Sequence, residues 1–212
     1  MKKFIAILLT FLMTLSFAAC TEKGNTETAA PPKSNAGEQT NADNSNAGDG
    51  KILVTYFSAT NTTEGMAKTI ADVLGADLYE IVPEDPYTDA DLDYNDDNSR
   101  STIEMNDSSA RPAISGSVEN WQQYDTVLIG YPIWWGEAPR ILDTFAESYD
   151  FSGKTIVPFC TSGGSGIGSS AENLEALTKG ANWLSGERLD GDSSRDEIAA
   201  WINGLGLKIS AE

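Results

Sequence analysis

Histidine is absent from the 212 residues of the chain, and cysteine occurs only twice. Without an imidazole, the chain cannot form a histidine-based catalytic triad, a histidine metal site or histidine acid–base chemistry. Cys20 and Cys160 lie far apart in very different contexts, so they indicate neither a disulfide framework nor a zinc site. We therefore expect no metal centre and identify no catalytic acid or base.

Cationic residues are also scarce. The chain has 14 Lys and Arg against 32 Asp and Glu, which gives a formal net charge of −18 and a pI near 4.2. Such a charge disfavours nucleic acid as a partner. Hydrophobic residues make up 40% of the chain, which is enough for a core, and the length suits one domain with additional segments.

The first 19 residues are typical of a secretory signal peptide. A short basic start precedes the apolar run Phe4–Phe17, which is too short to span a bilayer comfortably. The small residues before Cys20 resemble a bacterial lipoprotein processing site, which implies that Cys20 carries lipid. Ordinary signal cleavage with an incidental cysteine is the alternative. We expect a chain secreted across the cytoplasmic membrane and lipid-anchored on its outer face.

Residues 20–50 have the composition of a flexible tether. Thr21–Gly50 is rich in Thr, Asn, Ala, Gly and Pro and contains no large apolar side chain. Such a segment cannot bury enough surface to order itself. Thirty flexible residues would span roughly 30 Å on average. The folded domain is therefore predicted over residues 51–208.

The domain is predicted to begin with a strand, a hydroxyl-rich turn and a helix. Ile52–Phe57 is an apolar run with the composition of a buried strand. A helix N-terminus presents free N–H groups and partial positive charge, so it can bind an anion without Lys or Arg. N-capping and turn formation are the alternative role for the hydroxyls. The turn comprises Ser58, Ala59, Thr60, Asn61, Thr62 and Thr63, and the helix follows from the spacing of Met66, Ala67, Ile70, Val73 and Leu74.

The rest of the domain repeats strand and helix about five times without a hairpin signal. This order predicts an α/β fold: a three-layer α/β/α, doubly wound, five-stranded parallel sheet. The further strands are predicted at Asp77–Val82, which Pro83 ends, Asp125–Gly130, Thr155–Cys160 and Ala181–Leu189. The further helices are predicted at Ala138–Tyr149, Ser169–Thr178 and Arg195–Asn203.

Two more unusual turns follow the third and fourth predicted strands. Turns at the carboxyl ends of parallel strands meet on one rim, where ligands bind at the reversal of strand order. Aromatic rings can flank a flat ligand, and glycine backbone can approach its polar edge closely. Core packing is the alternative for Trp134 and Trp135, but adjacent turn residues cannot both face one core. The second turn comprises Tyr131, Pro132, Ile133, Trp134, Trp135 and Gly136, and the third contributes Thr161, Ser162, Gly163, Gly164 and Gly166.

A site that binds a phosphate, flanks a flat ring and contacts the polar edge of that ring would fit flavin mononucleotide (FMN). The segment Tyr56–Thr63 resembles the phosphate loop of flavodoxin-like proteins, usually Ser/Thr-x-Thr-Gly-x-Thr. Asn61 stands where that family usually has glycine, and asparagine tolerates a left-handed backbone well. The resemblance implies the strand order 2-1-3-4-5 and FMN held by the three turns.

A long acidic tract, residues 84–117, interrupts the pattern. A tract of this length is usually functional or disordered. Its closely spaced acidic residues partly resemble a calcium-binding loop, but the required Gly and terminal Glu are missing. Asn95–Arg100 and Arg111–Ile114 resemble the insertion of one flavodoxin-like subgroup, which implies packing near the flavin edge. Arg100 and Arg111 either meet an anionic partner or pair with nearby carboxylates.

Three functions follow from this interpretation. The leading hypothesis is an FMN-binding electron-transfer protein outside the cytoplasmic membrane. The second is an FMN-dependent reductase of quinones or similar small acceptors, with residues 84–117 in the acceptor pocket, although the location counts against NAD(P)H as donor. The third is a non-redox binding lipoprotein that has lost flavin, which the departure at Asn61 keeps open. The redox partner is not predicted.

Overall fold

A parallel sheet lies at the centre of residues 50–208, the part of the chain that the computed structural model describes. The predicted signal peptide over residues 1–19, the lipidation at Cys20 and the tether up to residue 49 lie outside the described residues and stay predictions. The strands are β1 (Lys51–Tyr56), β2 (Asp77–Glu80), β3 (Val82–Pro83), β4 (Ile114–Ser115), β5 (Tyr124–Pro132), β6 (Thr155–Thr161), β7 (Asn182–Trp183) and β8 (Glu187–Arg188). The helices are α1 (Thr62–Leu74), α2 (Arg100–Asn106), α3 (Arg140–Ser148), α4 (Ser170–Leu177) and α5 (Arg195–Gly204).

The strand order confirms the predicted doubly wound topology. Strands run β2-β1-β5-β6-β7, all parallel, and β8 also pairs with β6. In order of the predicted strands this is 2-1-3-4-5. Tyr56 of β1 pairs with Gly130 of β5, which pairs with Phe159 of β6, so the three central strands end at the same rim.

The prediction of a single fifth strand is wrong, because Ala181–Leu189 contains two short strands, β7 and β8. Leu184 donates to Ile156 O before the break, and Leu189 donates to Cys160 O after it. Between them the neighbouring strand carries Pro158, which has no N–H to give to a ladder. Gly186 lies so close there that a Cβ would be 2.7 Å from Pro158 O.

The prediction that Pro83 ends the second strand is wrong. That strand ends earlier, at Glu80, and Val82–Pro83 pairs antiparallel with Ile114–Ser115. Glu84 N then donates to Ala113 O at 2.8 Å. This short ladder, which the sequence pattern did not indicate, brings together the two ends of the 84–117 tract.

The tract itself contains the helix α2. Ser99 caps it, accepting a hydrogen bond from the backbone N–H of Thr102.

Among residues 50–208, no three cysteine or acidic side chains gather as a group that could hold a metal. Within the same residues, no helix is both long and apolar enough to cross a bilayer.

Each face of the sheet carries its own apolar core. On one face, α1 and α5 pack over Val54, Leu128 and Val157; on the other, α3 and α4 pack near Leu53 and Phe57. The five apolar positions predicted for α1 are all buried, which confirms that helix. Helix α3 begins at Arg140, with Pro139 at the N-cap rather than within the first turn as predicted. The two layers leave the turns after β1, β5 and β6 together at one rim.

Candidate functional site

The first turn leaves the N-terminus of α1 open. Asn61 is the N-cap, with φ 63° and ψ 0°, and its side chain makes no capping bond. This is the left-handed conformation that asparagine tolerates, as predicted. The first helical bond is Gly65 N to Asn61 O at 3.0 Å. The backbone N–H groups of residues 60–64 have no acceptor among residues 50–208.

Ser58 adds a hydroxyl without a partner to this open end. Its Oγ is buried and makes no hydrogen bond within the described part of the chain. A buried hydroxyl left unpaired costs about 1–3 kcal/mol. Thr60, Asn61 and Thr62 are exposed beside it. The free N–H groups and the unpaired hydroxyl fit an anionic ligand such as a phosphate monoester.

Thr63 points away from the open turn. Its Oγ1 lies 2.8 Å from Oγ1 of Thr161, and only 1% and 3% of these residues is exposed. The Thr63 hydroxyl is thus already paired with Thr161, and its predicted role as a phosphate donor stays a prediction. The pair joins the first turn to the third.

The second turn buries two of its three predicted ring-flanking residues. Tyr131 is fully buried, with its hydroxyl 3.0 Å from Ser170 Oγ. Trp134 is also buried, edge-on to Phe57 with centroids 5.6 Å apart. Trp134 therefore packs in the core, the alternative stated for it, and Tyr131 is buried as well, while the predicted role of both residues beside a ligand stays a prediction. Trp135 remains 44% exposed, which confirms that one of the adjacent tryptophans faces outward.

A tight reversal projects the Trp135 ring outward. Trp135 and Gly136 have φ of 49° and 83°, and Trp134 and Glu137 exchange backbone hydrogen bonds of 2.9 and 3.0 Å around them. Two central residues with positive φ are typical of a type I′ turn. For a bulky residue this conformation costs about 1–3 kcal/mol. Pro132 and Ile133 are half-buried at the base of the turn.

The third turn is open along its glycines. Gly163, Gly164 and Gly166 are exposed, and a Cβ at any of them would meet no atom within 4 Å. Packing within the protein therefore does not require glycine at these positions. Glycine also permits close approach of a ligand to the backbone. Ser162 is half-buried, and its hydroxyl bonds back to Ser165 O.

Glu137 ties the second turn to the third, a role the sequence did not reveal. Its carboxylate accepts hydrogen bonds from Ser169 Oγ at 2.8 Å and Asn173 Nδ2 at 2.7 Å. In addition, Ile133 N donates to Thr161 O at 2.9 Å. These contacts join distant segments, so no local spacing could have indicated them. Together they make the three turns one connected rim.

Arg188 and Gly191 also reach this rim without a sequence signal. Arg188 Nη1 donates to Ser162 O at 3.3 Å and pairs with Asp190 at 2.6 Å. A Cβ on Gly191 would lie 2.9 Å from Cγ2 of Thr62, so the chain after β8 packs against the first turn. Arg188 thus places one cation at the base of the third turn.

The 84–117 tract is anchored to the same region through Tyr87. Its ring packs against Phe57 at 5.7 Å and Trp134 at 5.3 Å, and the Arg100 guanidinium lies 4.1 Å above it. Glu104 accepts hydrogen bonds from the Tyr87 hydroxyl and Arg100 Nε. Burial, followed by the bond to Glu104, raises the pKa of Tyr87.

The two arginines of the tract pair with carboxylates, which confirms that alternative. Arg100 bonds Glu104 at 2.7 Å, and Arg111 bonds Glu147 at 2.7 Å. Two titratable groups near the rim, Cys160 and Tyr56, stay neutral near pH 7. Burial raises the pKa of Cys160 to about 12, and burial with the charges of Glu80 and Glu64 raises that of Tyr56 to about 12. Neither group can serve as an ionised nucleophile or base near neutral pH.

Comparison with known proteins places this geometry among flavoproteins. A family model described as flavodoxin matches residues 51–205. A protein of Bacteroides eggerthii described provisionally as a flavoprotein has 50% identity and a TM-score of 0.72, over 76% of this chain and 100% of that chain. A protein of Bacteroides uniformis with the same provisional description has 48% identity and a TM-score of 0.70, over 73% and 98%.

A more distantly related solved structure resembles this chain in fold alone. A flavoprotein of Lactobacillus acidophilus, solved in complex with FMN, has 22% identity and a TM-score of 0.55 over 74% of this chain and 99% of that chain. No curated protein matches the chain.

Proposed function

The chain belongs to the flavodoxin family, and from that premise we propose that it binds FMN and transfers electrons outside the cytoplasmic membrane. The observation that carries the proposal is the open end of α1. There the N–H groups of residues 60–64 have no acceptor among the described residues, and the Ser58 hydroxyl of the same turn is buried and unpartnered. A phosphate monoester would satisfy these donors without any cationic side chain.

The other two turns suit the ring system of the same ligand. The exposed Trp135 ring, in the turn after β5, offers an apolar surface on which a planar group can pack. The open backbone at Gly163, Gly164 and Gly166 can approach the polar edge of a ring. Ser58, Thr60, Asn61 and Thr62 would hold the phosphate. Thr63 and Thr161 would hold the turns in register, and Tyr131 and Trp134 would support Trp135 from the core.

FMN, when bound, supplies the redox chemistry, and the protein contributes binding, orientation and electrostatics. The thiol of Cys160 and the phenol of Tyr131 are both buried, and burial raises the pKa of each, so neither ionises near neutral pH. This arrangement favours a carrier, because a carrier requires tight flavin binding but no acid–base residue.

The location outside the membrane rests on the sequence of the first 20 residues. We expect the wild-type chain in the membrane fraction and the Cys20→Ala chain in the soluble fraction. Metabolic labelling with palmitate should mark the wild type alone. A wild-type chain that is secreted, unlabelled and soluble would instead indicate ordinary signal cleavage.

The second candidate is an FMN-dependent reductase of quinones or similar small acceptors. One observation favours it: Tyr94, from the 84–117 tract, lies against Trp135 with ring centroids 4.9 Å apart. The tract thus lies where an acceptor would approach the rim. The third candidate, a binding lipoprotein without flavin, depends on Asn61, whose left-handed backbone leaves the turn intact.

A flavin titration separates the candidates. The chain without residues 1–19, carrying Cys20→Ala, is titrated with FMN while flavin fluorescence and the visible spectrum are recorded. Quenching and a protein-bound flavin spectrum are expected. Absence of both leaves the non-redox candidate. For the loaded protein, steady-state oxidation of NAD(P)H with a quinone would favour the reductase, whereas reduction by a strong chemical donor alone would favour the carrier.

A further inference from the structure

The reversal that carries Trp135 keeps a conformation that its own residues do not favour. Trp135 has a φ of 49°, in the left-handed region that a bulky side chain rarely adopts. Such a conformation persists only where the surrounding structure holds it. The backbone bonds between Trp134 and Glu137 close the reversal, but they belong to the reversal itself and do not supply that external support.

The Glu137 side chain connects the reversal to helix α4. Its Oε1 accepts a hydrogen bond from Ser169 Oγ at 2.8 Å, and its Oε2 accepts one from Asn173 Nδ2 at 2.7 Å. The two partners are four residues apart, about one helical turn, so they lie on the same side of α4. With one bond to each carboxylate oxygen, the half-buried side chain is held in a single orientation.

Ser169 uses its hydroxyl for Glu137 and not for its own helix. It is the N-cap of α4, yet among residues 50–208 its side chain makes no capping bond. A serine at this position commonly accepts a hydrogen bond from a backbone N–H of the first helical turn, and that bond stabilises the helix. The contact with Glu137 is thus formed where a local alternative exists, which is typical of functional sites.

Helix α4 gives the reversal a firm support. Leu174 is only 1% exposed, and Ser170 Oγ lies 3.0 Å from the hydroxyl of the buried Tyr131. A Cβ on Gly168 would lie 3.7 Å from Gly136 O, so the end of the third turn also contacts the reversal. The reversal is therefore attached to an element that is itself anchored in the core.

We propose that Glu137 is a positioning residue for the flavin ring. Through Ser169 and Asn173, its carboxylate holds the strained reversal against α4 and so keeps the Trp135 ring in the orientation on which the flavin packs. The hydrogen bonds of Glu137, and not its negative charge, have this effect. The inference rests on the proposed function, because it names a residue on which flavin affinity depends, but the hold on the reversal exists without flavin.

Four variants separate the hydrogen bonds from the charge. Glu137→Ala removes both contacts. In Glu137→Gln, the amide oxygen can accept from Asn173 and the amide nitrogen can donate to Ser169 Oγ, so both contacts persist without the charge. Asn173→Ala removes one contact from an exposed position, and it replaces Glu137→Ala if that variant does not fold. The matched control is Glu172→Ala, which removes an exposed carboxylate from the first turn of the same helix.

Titration with FMN and with riboflavin is the first measurement. We expect Glu137→Ala to raise both dissociation constants by the same factor, about fivefold to tenfold, because the two ligands share the ring and differ in the phosphate. Asn173→Ala should raise both about threefold, the loss expected for one hydrogen bond. Glu137→Gln and Glu172→Ala should stay within about twofold of wild type.

Hydrogen exchange of the flavin-free chain is the second measurement. The backbone N–H groups of residues 134 and 137 close the reversal, so their exchange reports its opening. We expect exchange at these two positions to be about tenfold faster in Glu137→Ala and unchanged in Glu137→Gln and Glu172→Ala. The rate at Val54, in the core strand β1, should not change, whereas a general loss of stability would raise the rates at all three positions.

Equal losses of affinity in Glu137→Gln and Glu137→Ala would overturn the proposal, since the charge would then be the cause. Unchanged affinities in Glu137→Ala would also overturn it, as would a loss for FMN alone, which would assign Glu137 to the phosphate. Unchanged exchange at positions 134 and 137 would show that the reversal needs no support. A wild type that binds neither flavin would contradict the proposed function, and the exchange rates alone would then decide whether Glu137 holds the reversal.

Discussion

The hydroxyl oxygens of Thr63 and Thr161 lie 2.8 Å apart, and both side chains are almost wholly buried. Thr63 lies in the first turn of α1 and Thr161 ends β6, so a single hydrogen bond joins the turn proposed for the phosphate to the turn proposed for the ring edge. Their relative position therefore depends on a contact that neither turn makes by itself.

Removing both partners of this pair should destabilise the domain less than the two single removals would together. Thr63→Val or Thr161→Val leaves a buried hydroxyl unpaired, which should lower the free energy of unfolding by about 1–3 kcal/mol. The double variant should lose less than the sum of the single losses, with a coupling of about 1 kcal/mol. Urea unfolding of the four chains measures this. Strictly additive losses would show that the hydroxyls do not interact.

Thr60→Val should weaken FMN more than riboflavin. Thr60 is exposed on the open turn, so its hydroxyl can serve the phosphate that FMN has and riboflavin lacks. One lost hydrogen bond to a charged group corresponds to about 1.5–3 kcal/mol, or roughly tenfold or more in the FMN dissociation constant. Fluorescence titration with both ligands gives the ratio. Thr69→Val, within α1 and about two turns beyond its first residue, is the control and should change neither affinity. Equal weakening of both ligands by Thr60→Val would place the phosphate elsewhere.

Tyr87 should control the order of the acidic tract. Tyr87→Ala removes a half-buried ring that packs against Phe57 and Trp134, and it leaves Glu104 without its phenolic donor. We expect a loss of about 3–5 kcal/mol in the free energy of unfolding and faster hydrogen exchange over residues 84–106. Tyr94→Ala, an exposed tyrosine of the same tract, is the control and should cost less than about 0.5 kcal/mol. Unchanged exchange in Tyr87→Ala would mean that the tract is anchored by other contacts.

Cys160 should be protected from reaction and should weaken the fold at high pH. Burial raises the pKa of its thiol from 9.0 to about 12 in the folded chain. Because the unfolded thiol loses its proton first, the neutral thiol contributes stability that is present below pH 9 and is lost as the pH rises towards 12. Cys160→Ala should therefore flatten this part of the decline in stability with pH.

Iodoacetamide labelling in a Cys20→Ala chain gives the matching test. The folded protein should not react at pH 8.5, whereas the protein in urea should react completely. Rapid labelling without denaturant would show that the thiol is accessible and that its pKa is not raised.

Local patterns were sufficient for most of the architecture. Ile52–Phe57 and the spacing of Met66 to Leu74 predicted β1 and α1, because strand composition and helical periodicity are set by neighbouring residues along the chain. The strand order followed from the flavodoxin resemblance and is confirmed. The errors lie where a distant segment determines the local structure. The pairing partner of Val82–Pro83 is more than thirty residues away, about the length of the 84–117 tract. Pro158 of β6 divides the last strand into two.

The sequence by itself determined the fold, the three turns and the left-handed tolerance of Asn61, since each depends on residue type and short spacing. Only the tertiary structure decided that Thr63 turns inward to Thr161, that Trp134 is buried while Trp135 is exposed, and that Tyr94 meets Trp135. The direction of a side chain in a turn depends on which distant residues complete its hydrogen bonds and its packing. Those partners are fixed when the layers assemble, so no local pattern in the chain can specify them.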